Sequence, residues 1–415
     1  VMLFGVAILM ALGQVLAALP WLALLLWQDV KPLFRPAADA AGPARRPLSW
    51  PVVLGGLVGA VLVLGVILAG LLLYIRDSEW VSFVGRVYGS ILHLQLAIDL
   101  FVLLFVGMLF VWPKGGAVAL SAFREAIRQL MFLILMAAGV LFILASVVIP
   151  YFTFGEDYKM MQELGYDTIM LVAALFCCLT ASISISDEIE GRTAVTLMSK
   201  PVSRRQFLLG KFVGLLLVAM LITTLLGWWF DWMLYMKRGF EKLDPVAPPP
   251  ILTATLQGWA LPREAFDCLR GAGLWAVEAS RTFPGLFLGC CQAMILLAAA
   301  VSLATRLPMV VNLTVCGGLY FLSHLTPVLK QIAQSQYAAG PGNPVYQMLF
   351  FMSQVFDAII PSLEFFNLGP LLVRDTDPQW GPFLKYVGSV GFYGTMYTAV
   401  LLIAGLVLFE DRDLA

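Results

Sequence analysis

Few side chains in this 415-residue chain belong to the types that do chemistry. There are two histidines, His93 and His324, both in apolar surroundings, and no Ser-His-Asp order, zinc-ligand spacing or carboxylate pair stands out in the loops. No catalytic residue and no metal site is therefore expected. Five of the six cysteines (Cys177, Cys178, Cys290, Cys291 and Cys316) lie in apolar runs, where Cys packs as a small hydrophobe, and Cys268 has no partner in the long polar loops, so no structural disulfide is predicted. The adjacent cysteine pairs do not suit a soft metal, because neighbours on a helix point about 100° apart. Gly210-Lys211 is followed by Phe212 at the start of an apolar run, which is not a phosphate-binding loop. One ionisable residue is buried in an apolar run: Asp99, with Gln95 one turn earlier on the same face and His93 close by. A charge in that setting is expensive and marks function by default. Its residues allow either a proton relay or a hydrogen bond to a neighbouring helix.

The other candidate is a charged island, Asp187 to Gly214, between two uncharged stretches, Thr168 to Ser186 and Phe212 to Phe230. Asp187, Glu188 and Glu190 suit the start of a short helix, where the dipole favours negative charge. Ala194, Leu197 and Met198, at i, i+3 and i+4, give that helix a small apolar face that must pack on its own membrane domain or on a soluble partner. Pro201 ends the helix by pushing residue 200 out of the helical region. Ser203-Arg204-Arg205-Gln206 then fits a capping box that restarts the chain as a long helix. Arg204, Arg205 and Lys211 are placed to snorkel to anionic headgroups. The predicted device is a lever made of a short helix, a proline hinge and a long helix.

The elements that hold these residues follow from composition. The chain is 60% hydrophobic and 13% charged, against about 45–50% apolar and about 25% charged in soluble domains, so it reads as an all-α polytopic membrane protein. Net charge is zero, and no global field argues for nucleic acid. A span needs about 20 apolar residues. That places nine transmembrane helices near residues 2–27, 51–75, 90–112, 130–150, 168–186, 206–230, 285–305, 309–329 and 387–409, with Trp27, Trp112, Trp228 and Trp229 as anchors at their edges. The first run lacks a basic n-region and a small-residue cleavage site, and is read as a retained span. Lys and Arg weigh towards the loops at 28–50, 113–129, 187–205, 306–308 and 410–415, which puts these and the C-terminus in the cytoplasm. Residues 30–51 form a proline-rich cytoplasmic linker, and residues 118–130 an amphipathic helix on the inner membrane surface. Residues 231–284 and 330–386 are outer loops, the second holding an apolar segment, 346–360, that is either re-entrant or a packed loop helix. Small-residue faces at Gly55 and Gly59, at Gly285 and Gly289, and at Gly391, Thr395 and Ala399 predict close helix approach.

The run from Ser186 to Gly214, with Glu190, Thr193 and then L-M-S-K-P-V-S-R-R-Q-F-L-L-G-K-F-V-G, resembles the loop of type-2 ABC exporter permeases, closest to the branch labelled for multicopper-enzyme maturation. The amphipathic helix before the fourth span, the six spans after it, P-S-L-E-F-F-N at Pro361 to Asn367 and the closing L-V-L-F-E-D-R-D-L are similar too. The resemblance covers residues 115–415 and divides the chain into 1–112, three additional spans, and 113–415, the permease core. It implies that 187–205 is a coupling loop docking in a separate cytoplasmic ATPase, with Glu188, Glu190, Arg192 and Thr193 at the contact. Many members have Gly directly before Thr, whereas here Arg192 stands between Gly191 and Thr193. The resemblance further implies ATP and Mg in that partner and none in this chain, a second permease subunit as homodimer or heterodimer, membrane lipid around it, and a bacterial inner-membrane location. Two readings compete with ATP-driven export: a proton-coupled transporter or membrane enzyme using Asp99, and a scaffold whose loop recruits a soluble protein.

Overall fold

The computed structural model describes residues 2–25, 50–75, 77–149, 151, 156–190, 203–243, 248–340, 342–368 and 380–410. These form twelve α-helices: α1 (Met2–Leu25), α2 (Trp50–Tyr74), α3 (Ser78–Val111), α4 (Pro113–Ala126), α5 (Leu130–Val148), α6 (Asp157–Glu190), α7 (Arg204–Phe240), α8 (Pro250–Gly258), α9 (Arg263–Ala304), α10 (Met309–Ala339), α11 (Pro344–Ile359) and α12 (Trp380–Glu410), with a 3-10 turn at Leu363–Phe366. Among the described residues nine helices are long and apolar enough to cross a membrane, and there is no strand. An all-α solution is the physical expectation, since helices satisfy every backbone group within the segment.

Several helices run well past the hydrocarbon layer. α9 has 42 residues, about 60 Å at helical rise, and α7 has 37. The segment expected as an outer loop over 231–284 therefore holds the end of α7, all of α8 and the first half of α9. Hydropathy marks only the apolar part of a helix; its polar extension continues where the charges find partners, as Lys237 does with Glu241 at 2.9 Å. Trp228 and Trp229 consequently lie inside α7 rather than at its edge, and the Trp229 Nε1–H donates to the Val140 carbonyl at 3.2 Å. Likewise 330–386 holds the end of α10, α11 and the 3-10 turn. α11 packs along α10, with Lys330 Nζ donating to the Asp357 carboxylate at 2.5 Å and Tyr337 stacked on Phe350.

The chain divides into two compact units. Unit 1 contains Val1–Gly107 and Asp244–Arg281. In it α1 packs on α2, and the Tyr88 hydroxyl donates to the Met10 carbonyl at 3.0 Å. Gly85 of α3 faces the Cys268 carbonyl and Gly271 of α9 faces the Ser82 carbonyl so closely that a Cβ at either would collide with backbone. Arg86 pairs with Glu278, and the Ser78 hydroxyl donates to Asp267 at 2.7 Å. Cys268 is thus a buried packing residue of this crossing.

Unit 2 contains Met108–Leu243 and Thr282–Ala415, and its core is built on α6 and α7 with α5, α10 and the second half of α9 around them. Phe176, Phe207 and Phe230 are fully buried there, and Tyr166 meets Phe230 edge-on at 5.4 Å. Asn312 of α10 is a polar clip: its amide donates to Ser182 Oγ at 2.9 Å and to the Ala300 carbonyl at 3.0 Å, joining three helices. Gly285 and Gly289 receive Tyr166 and Met170, and Gly391 receives Phe287, as a close-packing face should. A Cβ at Gly55 or Gly59 of unit 1, in contrast, would meet nothing from another element within 4 Å among the described residues.

Candidate functional site

The described structure stops on both sides of the island's centre. Arg192, Thr193, Leu197, Met198 and Pro201 lie outside the described residues, as do Ala194 and the expected short helix. Its flanks are described. Asp187, Glu188 and Glu190 form the last turn of α6 rather than the start of a new helix. No Gly or Pro falls between Tyr166 and Glu190, and Ser182 Oγ donates back to the Cys178 carbonyl at 2.6 Å. The helix simply continues. Three carboxylates at a helix C-terminus would be repelled by its negative end, so a cation is needed nearby.

Lys211 is that cation. It is about two turns into α7 and 4% exposed. Its ammonium sits 2.6 Å from Glu188 Oε1, 3.2 Å from Glu125 Oε2 and 2.9 Å from Ser184 Oγ. Three donors meet three acceptors, so the buried charge is fully satisfied. Lys211 therefore does not snorkel to headgroups. Burial raises the Glu188 carboxyl above the ordinary glutamate range even against the pull of the adjacent ammonium.

Glu125 reaches this cluster because α4 is laid tightly across α7. The buried face of α4 is Gly115, Ala119, Ala122 and Ala126, with Val118, Phe123 and Ile127 packed beside it on the core. It meets Gly210 and Gly214 of α7; a Cβ at Gly210 would stand 2.9 Å from the Gly115 carbonyl oxygen. Glycine at that crossing is what lets two backbones approach and brings the carboxylate of one helix to the ammonium of the other.

The start of α7 carries the expected capping box. Ser203 Oγ accepts from Gln206 N at 3.2 Å, and Gln206 Oε1 accepts from Ser203 N at 3.1 Å. Arg204 then binds the far end of α12, donating to the Phe409 and Glu410 carbonyls at 3.0 and 2.9 Å with its guanidinium over the Phe409 ring. Arg205 pairs with Glu410 at 3.3 Å on the surface. Arg306, in the turn after α9, donates to the Leu408 carbonyl at 2.8 Å. The orphan carbonyls that every helix end leaves are thus met by arginines from two other elements. One end of unit 2 gathers α4, the end of α6, the start of α7, the α9–α10 turn and the end of α12. Sequence reasoning named the arginines but missed Lys211, Glu125 and Ser184 as one cluster; the only local signal was an isolated lysine inside an apolar run.

Gln95 and Asp99 lie on α3 in unit 1. Asp99 is 8% exposed. Its Oδ1, Gln95 Oε1 and His93 Nδ1 are buried without a hydrogen-bond partner among the described residues. Among the same residues no group of three His, Cys, Asp or Glu side chains is arranged to hold a metal ion.

No curated protein matches the chain. A family model does: residues 124–261 match the one described as ABC-2 family transporter protein, and that segment contains Glu125, Ser184, Glu188, Ser203 and Lys211. With nine candidate spans among the described residues the chain is a multi-pass membrane protein, and the match over residues 124–261 supports a transport component of the type-2 ABC permease kind and implies association with an ABC ATPase partner.

Proposed function

We propose that this permease couples ATP hydrolysis by a separate cytoplasmic ABC ATPase to export, with residues 187–205 as the docking segment. The observation that carries the reading is the Lys211 cluster, which ties both described flanks of that segment, the end of α6 and the start of α7, to α4. A push on the segment would then move two core spans together rather than bend a free loop. Asp187, Glu190, Arg192 and Thr193 supply polar contacts to the ATPase, Glu188 acts through its pair with Lys211, Leu197 and Met198 supply the apolar contacts, and Pro201 the joint before the capped start at Ser203. ATP and Mg belong to the ATPase. The end of unit 2 that bears the cluster faces the cytoplasm of a bacterial inner membrane, with the C-terminus on the same side, and a second permease subunit completes the pathway.

The test is reconstitution of the full chain with its candidate ATPase. Glu190→Lys is expected to weaken assembly at least about ten-fold, since a reversed charge at a docking contact costs several kcal/mol. Assembly and ATPase rate both unchanged would sink the docking assignment. The unpartnered Asp99 and Gln95 oxygens favour a second reading, proton-coupled movement through α3. Transport by the chain alone, abolished by Asp99→Asn, is its signature; ATP-dependent transport indifferent to that change rejects it.

A further inference from the structure

Beside the Lys211 cluster, along α4, lies an open groove of about 750 Å³ that the coupling reading does not use. Leu109 near the end of α3 forms one wall; Leu120, Ser121, Arg124 and Arg128 form the other, and Gln129 closes one end. Arg124 and Arg128 are one turn apart, exposed, and without a salt-bridge or hydrogen-bond partner among the described residues. Glu125 also lines the groove, but its carboxylate is engaged by Lys211 at 3.2 Å. The C-terminal end of α4 contributes about half a negative charge, which two guanidiniums outweigh. The groove is therefore cationic, in a protein whose total charge is zero.

Its surroundings decide where an anion would come from. α4 connects two candidate spans, so the groove sits where a membrane's apolar layer ends. Phe110 and Val111, the last residues of α3, are 88% and 81% exposed, and Leu130, the first of α5, is 69% exposed. These flank the arginines with apolar surface that a free phosphate would leave bare and acyl chains would cover. Gln129 adds an amide oxygen without a partner; turned towards the groove, it accepts from a headgroup hydroxyl.

We propose that this groove binds an acidic phospholipid, with the phosphate held by Arg124 and Arg128, a hydroxyl-bearing headgroup against Ser121 and Gln129, and the acyl chains along Phe110, Val111 and Leu130. Arginine suits the task because its planar fork meets two phosphate oxygens at once. Because Glu125 belongs both to the groove and to the Lys211 cluster, an occupied groove touches the helix that braces the docking segment. The site stands on its own residues and does not depend on the coupling assignment.

Native mass spectrometry of the full chain in detergent tests this with three probes: phosphatidylglycerol, phosphatidylcholine and inorganic phosphate. The intact chain should retain phosphatidylglycerol over phosphatidylcholine by about ten-fold or more, the weight of two cationic contacts. Arg124→Gln combined with Arg128→Gln should bring the two lipids within about two-fold and either change alone should lower the preference, while Lys114→Gln, one charge removed from the same helix outside the groove, should leave it intact. No headgroup preference in the intact chain overturns the proposal. So does a preference lost equally with Lys114→Gln, which makes it diffuse surface charge, or displacement of the lipid by an equal concentration of inorganic phosphate, which makes it a free-anion site.

Discussion

α7 carries a buried lysine near each end, and the two are solved differently. Lys237 is 3% exposed and its needs are met close by: Glu241 on the next turn at 2.9 Å, the Tyr151 ring at 5.5 Å, and the Val147 carbonyl, an orphan at the end of α5, at 3.2 Å. Lys211 is equally buried, but its partners come from α4 and α6. The first arrangement keeps its ion pair, Glu241, one turn away and leans on a single other helix end. The second exists only while three helices keep one geometry. A charge satisfied across elements is a constraint on their relative position, and this one joins the two described flanks of the proposed docking segment.

That contrast can be broken experimentally. Lys211→Met leaves Glu125 and Glu188 uncompensated, and should cost about 3 kcal/mol, the low side for a buried pair because Glu125 is 45% exposed and can rehydrate. The unfolding midpoint in detergent measures it. Lys237→Met should cost about half as much, about 1.5 kcal/mol, chiefly for the hydrogen bond to the Val147 carbonyl. If the two variants unfold alike, the cross-helix cluster has no special weight. Ser203→Ala removes half of the capping box and should cost about 1 kcal/mol without altering ATPase assembly; a loss of assembly would move Ser203 from helix start to docking contact.

The smallest effect at neutral pH, below about 1 kcal/mol, is expected for Glu188→Gln, because an amide still accepts from Lys211 and escapes the burial cost. Its signature is in the pH dependence. The folded-state pKa of Glu188 is raised, so its favourable contribution is complete below the ordinary 4.5 and is lost as pH rises through the higher folded value. Scanning stability upward from pH 4.5 should show that decline in the intact chain and a flatter profile in Glu188→Gln. An unchanged profile would mean that the carboxyl is not held in a dehydrated site.

Much of the outline was readable from local pattern. Runs of apolar residues marked all nine candidate spans, because the bilayer imposes a length and a composition on any segment that crosses it. S-R-R-Q announced the start of α7 to the residue, since a capping box is a contact between positions three apart. Asp187 to Glu190 misled for an equally physical reason: acidic residues favour a helix start, and it takes the distant Lys211 to compensate Glu188 at a helix end. Small-residue faces were half informative. Gly285 and Gly289 pack as expected, while Gly55 and Gly59 meet no other element among the described residues, because a glycine pair permits close approach without supplying the helix that approaches.

Composition, hydropathy and the cap at Ser203 by themselves determined that this chain is a helical membrane protein with a charged interruption between two core spans. Those are properties of segments, decided by the solvent each segment prefers and by neighbours within a turn. That the interruption's two flanks are joined through one buried ammonium, and that α4 brings a carboxylate to it beside two arginines without a partner among the described residues, was decided only by the tertiary structure. Glu125 and Lys211 are far apart in the chain, and nothing in either residue's own surroundings specifies the other. Their meeting depends on the glycines at Gly210 and Gly214 letting two helices touch.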